Sequence, residues 1–180
     1  AAGLFVGPRV SVEAEWAGRA ACRPWRMPSS NVANVAAFAG RGQLLLSTGT
    51  AGVQVNDAVT LRPLQVLESP SVRHSVMPLE HGPLYAATVG GLFRRIVVRG
   101  ADGTFQFGDA EQILAGDAFA VAANTDGSVV AAMAGGILFI SRSGGPFVEF
   151  MHAPEQFRML FLSPDGRWLA TRGAQLLVFD

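Results

Sequence analysis

Four tight turns, each holding a glycine, recur along this chain at nearly even spacing and constrain its fold more than any other feature. They are Gly40-Arg41-Gly42-Gln43, Glu80-His81-Gly82-Pro83, Thr125-Asp126-Gly127-Ser128 and Pro164-Asp165-Gly166-Arg167. Glycines 42, 82, 127 and 166 lie 40, 45 and 39 residues apart. Each turn is flanked by short apolar runs of four to seven residues, too short for helices and bounded by turn chemistry. A period near forty carried by short strands is the mark of a propeller blade. The expected fold is all-β: a β-propeller of about four blades, either closed as a four-bladed ring or part of a larger propeller.

The first strand of each repeat reads 35–39, 72–78, 120–124 and 158–163. The second reads 44–48, 84–88, 129–133 and 168–172. The third reads 53–55, 92–98, 137–141 and 176–179. A fourth strand is expected at 64–67, 105–107 and 147–150. The blade-like repeats therefore span about 35–68, 72–109, 120–151 and 158–180, all within one domain covering 1–180. Residues 3–16 read as a partial blade, and 17–34 as an irregular loop carrying Cys22 and Trp25. The stretch 110–119 comes nearest to a helix, but Gly116 interrupts it. The chain opens on Ala1 in mid-blade, which fits a processed or truncated chain.

Alanines crowd the inner runs: Ala36, Ala37, Ala86, Ala87, Ala122, Ala123, Ala131, Ala132 and Ala170. Alanine is a weak strand former. It suits strands that converge on an axis, where larger side chains would collide. The 180 residues are 49% hydrophobic and 16% charged, as expected of sheets covered on both faces. The net charge is zero, from 14 basic and 14 acidic residues. That balance gives nucleic acid or an anionic membrane no basic face. Every basic residue is arginine, which fits codon bias in a GC-rich genome. One cysteine forms no internal disulfide. No apolar run reaches the length of a membrane span.

Gly90-Gly91-Leu92-Phe93-Arg94 followed by Asp102-Gly103-Thr104-Phe105 resembles the bacterial neuraminidase repeat, or Asp-box. The segment 135–147 is similar, with Ser143 where the family prefers aspartate. The last repeat, Leu162 to Ala170, resembles the hairpin of WD-repeat propellers. The resemblance implies a propeller of the kind found in sialidases, sorting receptors and photosystem II assembly factors, and leans toward an extracytoplasmic, bacterial setting. The enzymes of that family use an arginine triad and a nucleophilic tyrosine. The one tyrosine here, Tyr85, sits inside a strand, and no arginine triad can be assigned.

Chemistry finds little else to use. His74, His81 and His152 lack metal-ligand spacing. Asp126 and Asp165 precede glycines where a turn wants them. Glu13 and Glu15 alternate on one strand face and form the basis of an alternative reading, a carbohydrate-active propeller with a site on its axis. The favoured reading is a non-catalytic scaffold, accessory subunit or assembly factor, with no catalytic, cofactor-binding or metal-binding residue. Its partners are proteins, including a large or membrane-associated complex. The candidate contacts are Trp25, a loop aromatic, and the basic cluster Arg94, Arg95 and Arg99. On an uninterrupted strand Arg95 and Arg99 share one face and Arg94 takes the other.

Overall fold

The computed structural model describes residues 36–39, 42–69, 71–78, 82–153, 158–173 and 176–180, which all fall in one compact unit. The described residues form antiparallel strands and no α-helix. Blade 1 is β1 (Ala36–Ala39), β2 (Leu44–Gly49), β3 (Gly52–Asp57) and β4 (Pro63–Glu68), hydrogen-bonded in that order. Blade 2 contains β5 (Val72–Val76), β6 (Leu84–Thr88) and β7 (Gly91–Arg95), then a separate hairpin of β8 (Val97–Arg99) and β9 (Phe105–Phe107), and is completed by β10 (Glu111–Ala115). Blade 3 is β11 (Ala118–Ala123), β12 (Val129–Ala134), β13 (Ile137–Arg142) and β14 (Val148–His152). Blade 4 is β15 (Met159–Leu162), β16 (Leu169–Arg172) and β17 (Leu176–Phe179).

Each blade's first strand is its innermost, and these strands carry contacts from blade to blade. β5 touches β2 and β11, and β11 touches β15. Three apolar clusters fill the spaces between successive blades. Leu44, Leu46, Val53 and Val55 of blade 1 meet Val72, Leu84 and Ala86 of blade 2. Tyr85, Ala87 and Leu92 meet Val121, Val130 and Ala132 of blade 3. Ala120, Ala131, Met133 and Leu138 meet Leu160 and Leu169 of blade 4. Each fully buried leucine or valine contributes about 1.5–3 kcal/mol over its exposed state.

The alanines follow from this geometry. Strand β11 has a blade on each face, so Val121 points to blade 2 while Ala120 and Ala122 point to blade 4. Ala118 faces blade 2 although its parity matches Ala120, because the β11–β12 register shifts between those two residues. A bulge of that kind reverses which face a side chain takes.

The second repeat departs from the sequence expectation. Phe105–Phe107 is not the fourth strand of its blade: it pairs with Val97–Arg99, and the fourth strand lies beyond residue 109, at β10. The physical reason is Gly91. A Cβ built there would stand 2.2 Å from the Leu114 carbonyl oxygen, so only a glycine lets β10 close onto β7. Gln112 Nε2 then donates to the Gly90 carbonyl at 2.8 Å. The expected third strand 92–98 breaks at Ile96, which sends β8 into the hairpin. Phe105 and Phe107 are used instead to pack on the cluster between blades 1 and 2. The near-helical stretch 110–119 is two strands, with Gly116 at φ +89 turning the chain from blade 2 into blade 3.

Candidate interaction surface

The arginine cluster is held by the chain's own acceptors. Arg94 forms an ion pair with Glu111 Oε2, with Nη2 at 2.6 Å and Nε at 3.2 Å. The two residues are register partners on β7 and β10. Arg95 donates from Nη1 to the Gly108 carbonyl and from Nη2 to the Glu68 carbonyl, both at 2.9 Å. It thereby ties the end of β4 in blade 1 to blade 2. The Arg99 guanidinium lies 5.6 Å from the centroid of the Phe105 ring. The break at Ile96 removes the uninterrupted strand on which a shared face for Arg95 and Arg99 was expected. Trp25, Glu13, Glu15, Cys22 and His81 lie outside the described residues.

The aspartates hold turns. In blade 3 the Asp126 carboxylate accepts the Ser128 N–H at 2.9 Å, and Asn124 Oδ1 accepts the Val129 N–H at 2.9 Å. Blade 4 repeats the pattern: Asp165 accepts the Arg167 N–H at 3.1 Å, and Ser163 Oγ accepts the Trp168 N–H at 2.9 Å. The two turns also touch, through the Thr125 N–H and the Pro164 carbonyl. Asp102 does the same work at the tip of the β8–β9 hairpin, accepting the N–H and hydroxyl of Thr104. Hydrogen bonds to their ionised forms hold these carboxyls below the usual range, the first cause being the side chain of Ser128 for Asp126, of Ser163 for Asp165 and of Thr104 for Asp102.

The remaining candidates are packed rather than poised. The Tyr85 ring is buried and meets Phe147 edge-on at 6.2 Å. Burial pushes its phenol up, against a smaller opposing effect of Arg94, the reverse of what a nucleophile needs. His74 is enclosed where β5 meets β11. Burial pushes its imidazole down, the hydrogen bond to the Val121 backbone opposing this. Its Nδ1 is buried without a hydrogen-bond partner. Beside it, Arg73 lies 2.8 Å from Asp117 and 3.9 Å from the centroid of the Phe119 ring. His152 stands 3.0 Å from Glu149 on the exposed end of β14. Among the described residues, no group of three or more His, Cys, Asp or Glu is placed to hold a metal ion.

What sequence reasoning missed is apolar and lies on the outer strands of blades 1 and 3 and on blade 4. Leu64 and Val66 on β4, Val148 and Phe150 on β14, and Phe161, Trp168, Leu176 and Val178 in blade 4 are all exposed. A shallow depression of about 570 Å³ opens beside β4, lined by Thr50, Ala51, Val66, Glu68 and Ser69. The alternation in Leu64-Gln65-Val66 and Val148-Glu149-Phe150 was a readable signal. It marks a strand with two different faces but not which face is wet.

No protein-family model matches the chain, and no curated protein is similar to it in sequence. Solved structures do match, and they show the β-propeller fold. The chain is similar to the β-propeller domain of Myceliophteria thermophila Cps50 (Swd1), with 20% identity and a TM-score of 0.61 over 79% of this chain and 51% of that one. It is also similar to a chain of the mitotic checkpoint complex, with 20% identity and a TM-score of 0.58 over 80% and 49%. The chain thus spans about half the length of the solved structures it matches.

Proposed function

We propose that this chain is a non-catalytic propeller that works as a protein–protein interaction scaffold, accessory subunit or assembly factor of a larger complex. The observation that carries the reading is the set of large apolar side chains exposed on the outer strands of blades 1 and 3 and on blade 4. Apolar groups that gather on a surface mark contact sites. Charged side chains, by contrast, are largely engaged within the chain: Arg94 on Glu111, Arg95 on two carbonyls, Asp126 and Asp165 in turns. Of the sequence's candidate contacts, Trp25 and Arg99 stay in the proposal. Arg94 and Arg95 contribute to it by fixing the blades. The likeness to a chain of the mitotic checkpoint complex, which is by name an assembly, agrees with this reading.

The test is isolation of the tagged protein from its native source after crosslinking, with a parallel screen for turnover of glycosides and polysaccharides. A stoichiometric protein partner lost on Leu64→Asp and Val148→Asp, with circular dichroism unchanged, is the expected result. Turnover of a glycoside, or a monomer with no stoichiometric partner, would overturn the reading and favour the carbohydrate-active alternative in the first case.

A further inference from the structure

We propose that copies of this chain associate head to tail through blade 1. The loop between β3 and β4, with Val59 at its tip, seats in the depression beside β4 of the next copy, and Arg62 of the loop meets Glu68 of that depression. The inference goes beyond the scaffold reading above, because it names a second copy of the chain as an occupant of its surface.

The knob is Val59. At 87% exposed it is the most exposed large apolar side chain among the described residues. A lone exposed apolar residue is ordinary on a protein surface, but this one is held on a fixed loop. Asp57 Oδ1 accepts the Val59 N–H at 3.0 Å, the Thr60 N–H at 2.6 Å and the Thr60 hydroxyl at 2.8 Å. The Asp57 N–H donates to the Arg62 carbonyl at 2.9 Å, and the Leu61 N–H donates to the Asp57 carbonyl at 2.8 Å. The Ala58 N–H ties the loop to the Gln43 carbonyl at 2.9 Å. Leu61 stands at φ +59, where a branched side chain is strained. Turn tips are usually filled by glycine, proline, asparagine, aspartate or serine, so neither Val59 nor a left-handed Leu61 serves the turn itself. A group fixed in advance loses little freedom on binding.

The hole lies at the opposite end of the same blade. The depression of about 570 Å³ is lined by Thr50 and Ala51 of the β2–β3 turn and by Val66, Glu68 and Ser69 at the end of β4. Ala51 and the half-exposed Val66 give it an apolar wall. Strand β3 separates knob from hole: Asp57 is at its loop end, and Gly52, the register partner of Glu68, is at its turn end. Five steps of strand cover about 17 Å, so a chain cannot fill its own depression. A second copy can, by bringing its loop end to the turn end of the first. Two unlike patches make a heterologous contact, which repeats into a ring or a filament.

Charge supports the same pairing. Arg62 and Glu68 are both exposed, and among the described residues no ion pair engages either side chain. Arg95 holds Glu68 by its backbone carbonyl, which leaves the carboxylate for Arg62 of the next copy. Opposite charges placed this way set the register of a contact more than its strength.

The experiment is sedimentation velocity of the full chain across protein concentration, with circular dichroism to check that each variant folds. A contact built on one apolar anchor and one ion pair is weak, so self-association is expected in the high-micromolar range. Val59→Asp should lower the association constant by about tenfold or more, the loss of a buried apolar side chain. Arg62→Glu should lower it about two- to fivefold, as for an exposed ion pair, and Arg62→Glu combined with Glu68→Arg should recover that loss. Ala51→Arg, at an exposed position, blocks the depression and leaves the loop intact. A mixture decides the geometry. Val59→Asp keeps a working depression and Ala51→Arg keeps a working knob, so each alone should stay monomeric and the two together should form one-to-one dimers that grow no further. Four results would each overturn the proposal: a chain that stays monomeric at every concentration, association indifferent to Val59→Asp and Ala51→Arg, a mixture that gives no dimer or grows past it, or a charge reversal that the double variant does not recover. If the chain is monomeric yet copurifies a stoichiometric partner that Val59→Asp releases, the loop serves that other protein, so this proposal falls and the scaffold reading stands.

Discussion

Replacing Gly91 by alanine should be several times more damaging than replacing Gly136, although both glycines stand at the entry to the third strand of their blades. Gly91 sits at φ +142, and a Cβ there would lie 2.2 Å from the Leu114 carbonyl oxygen and 2.9 Å from Gln112 Nε2. The first neighbour is backbone of a paired strand and cannot rotate away. A side chain at positive φ costs about 1–2 kcal/mol, and forcing atoms into an occupied space adds about 1–3 kcal/mol. Moving β10 aside would also loosen ladder hydrogen bonds, each worth about 1 kcal/mol net. The expected loss is about 3–5 kcal/mol, a large share of the roughly 5–15 kcal/mol that holds a domain together. Gly136 sits at φ +79 with nothing within 4 Å of an added Cβ. Its loss is the φ term alone, offset by the lower entropy of the unfolded chain, and comes to about 1 kcal/mol. Urea denaturation followed by circular dichroism reads the difference. With a slope of about 2 kcal/mol/M, the midpoint should fall by about 2 M for Gly91→Ala and by about 0.5 M for Gly136→Ala. Equal shifts, or a larger one at Gly136, would refute the claim that β10 closes on β7 through the missing side chain. Gly52, whose Cβ would stand 2.1 Å from the Leu67 carbonyl oxygen, should behave like Gly91.

Arg95→Ala should destabilise the fold by about 1–2 kcal/mol and Arg94→Ala by less than about 1 kcal/mol in urea unfolding, because Arg95 bridges two blades through carbonyls while Arg94 makes an exposed ion pair. Arg94→Ala should also show the weaker effect as salt rises. For His74 the folded-state value is lowered by burial, so its neutral form supports the fold fully above the unfolded value near 6.5, and that support is lost as pH falls from there through the lowered folded value. Stability measured from pH 7.5 downward should decline in that window, and His74→Leu should flatten the decline. Asp102, Asp126 and Asp165 are lowered by hydrogen bonds to their ionised forms, so their support is present above about pH 4 and is lost as pH falls through the lowered values. The double variant Asp126→Asn, Asp165→Asn should flatten the loss of stability below about pH 4 in urea unfolding measured across pH, and should leave the His74-dependent decline below about pH 6.5 unchanged.

Hydrogen-bonding patterns that close within a few residues were legible in the sequence, and those that depend on distant partners were not. Asp126-Gly127 and Asp165-Gly166 carry their turn chemistry locally, so the hairpins around them fall where the spacing placed them. Strand β6 was read at its observed bounds because Gly82 and Gly90 punctuate it. The fourth strand of blade 2 was misplaced because Phe-Gln-Phe and Glu-Gln-Ile-Leu-Ala are both acceptable strands. The choice between them is made by Gly91 and by the cluster that takes Phe105 and Phe107. The arginines at 94, 95 and 99 were visible as a cluster. Their partners were not, since two of the acceptors are carbonyls at Gly108 and Glu68, and a carbonyl leaves no trace in residue identity.

The same limit explains why the surface matters more than any single polar residue here. A propeller blade fills both faces with apolar packing, so an aspartate or arginine within it is drawn to a turn or a neighbouring strand, as Asp126, Asp165 and Arg94 are. Groups held that way support the fold and are not poised to react. In the proposed scaffold, binding then falls to what packing leaves uncovered, the apolar side chains on outer strands. Blade 4 carries such side chains, with Leu176 and Val178 exposed on β17.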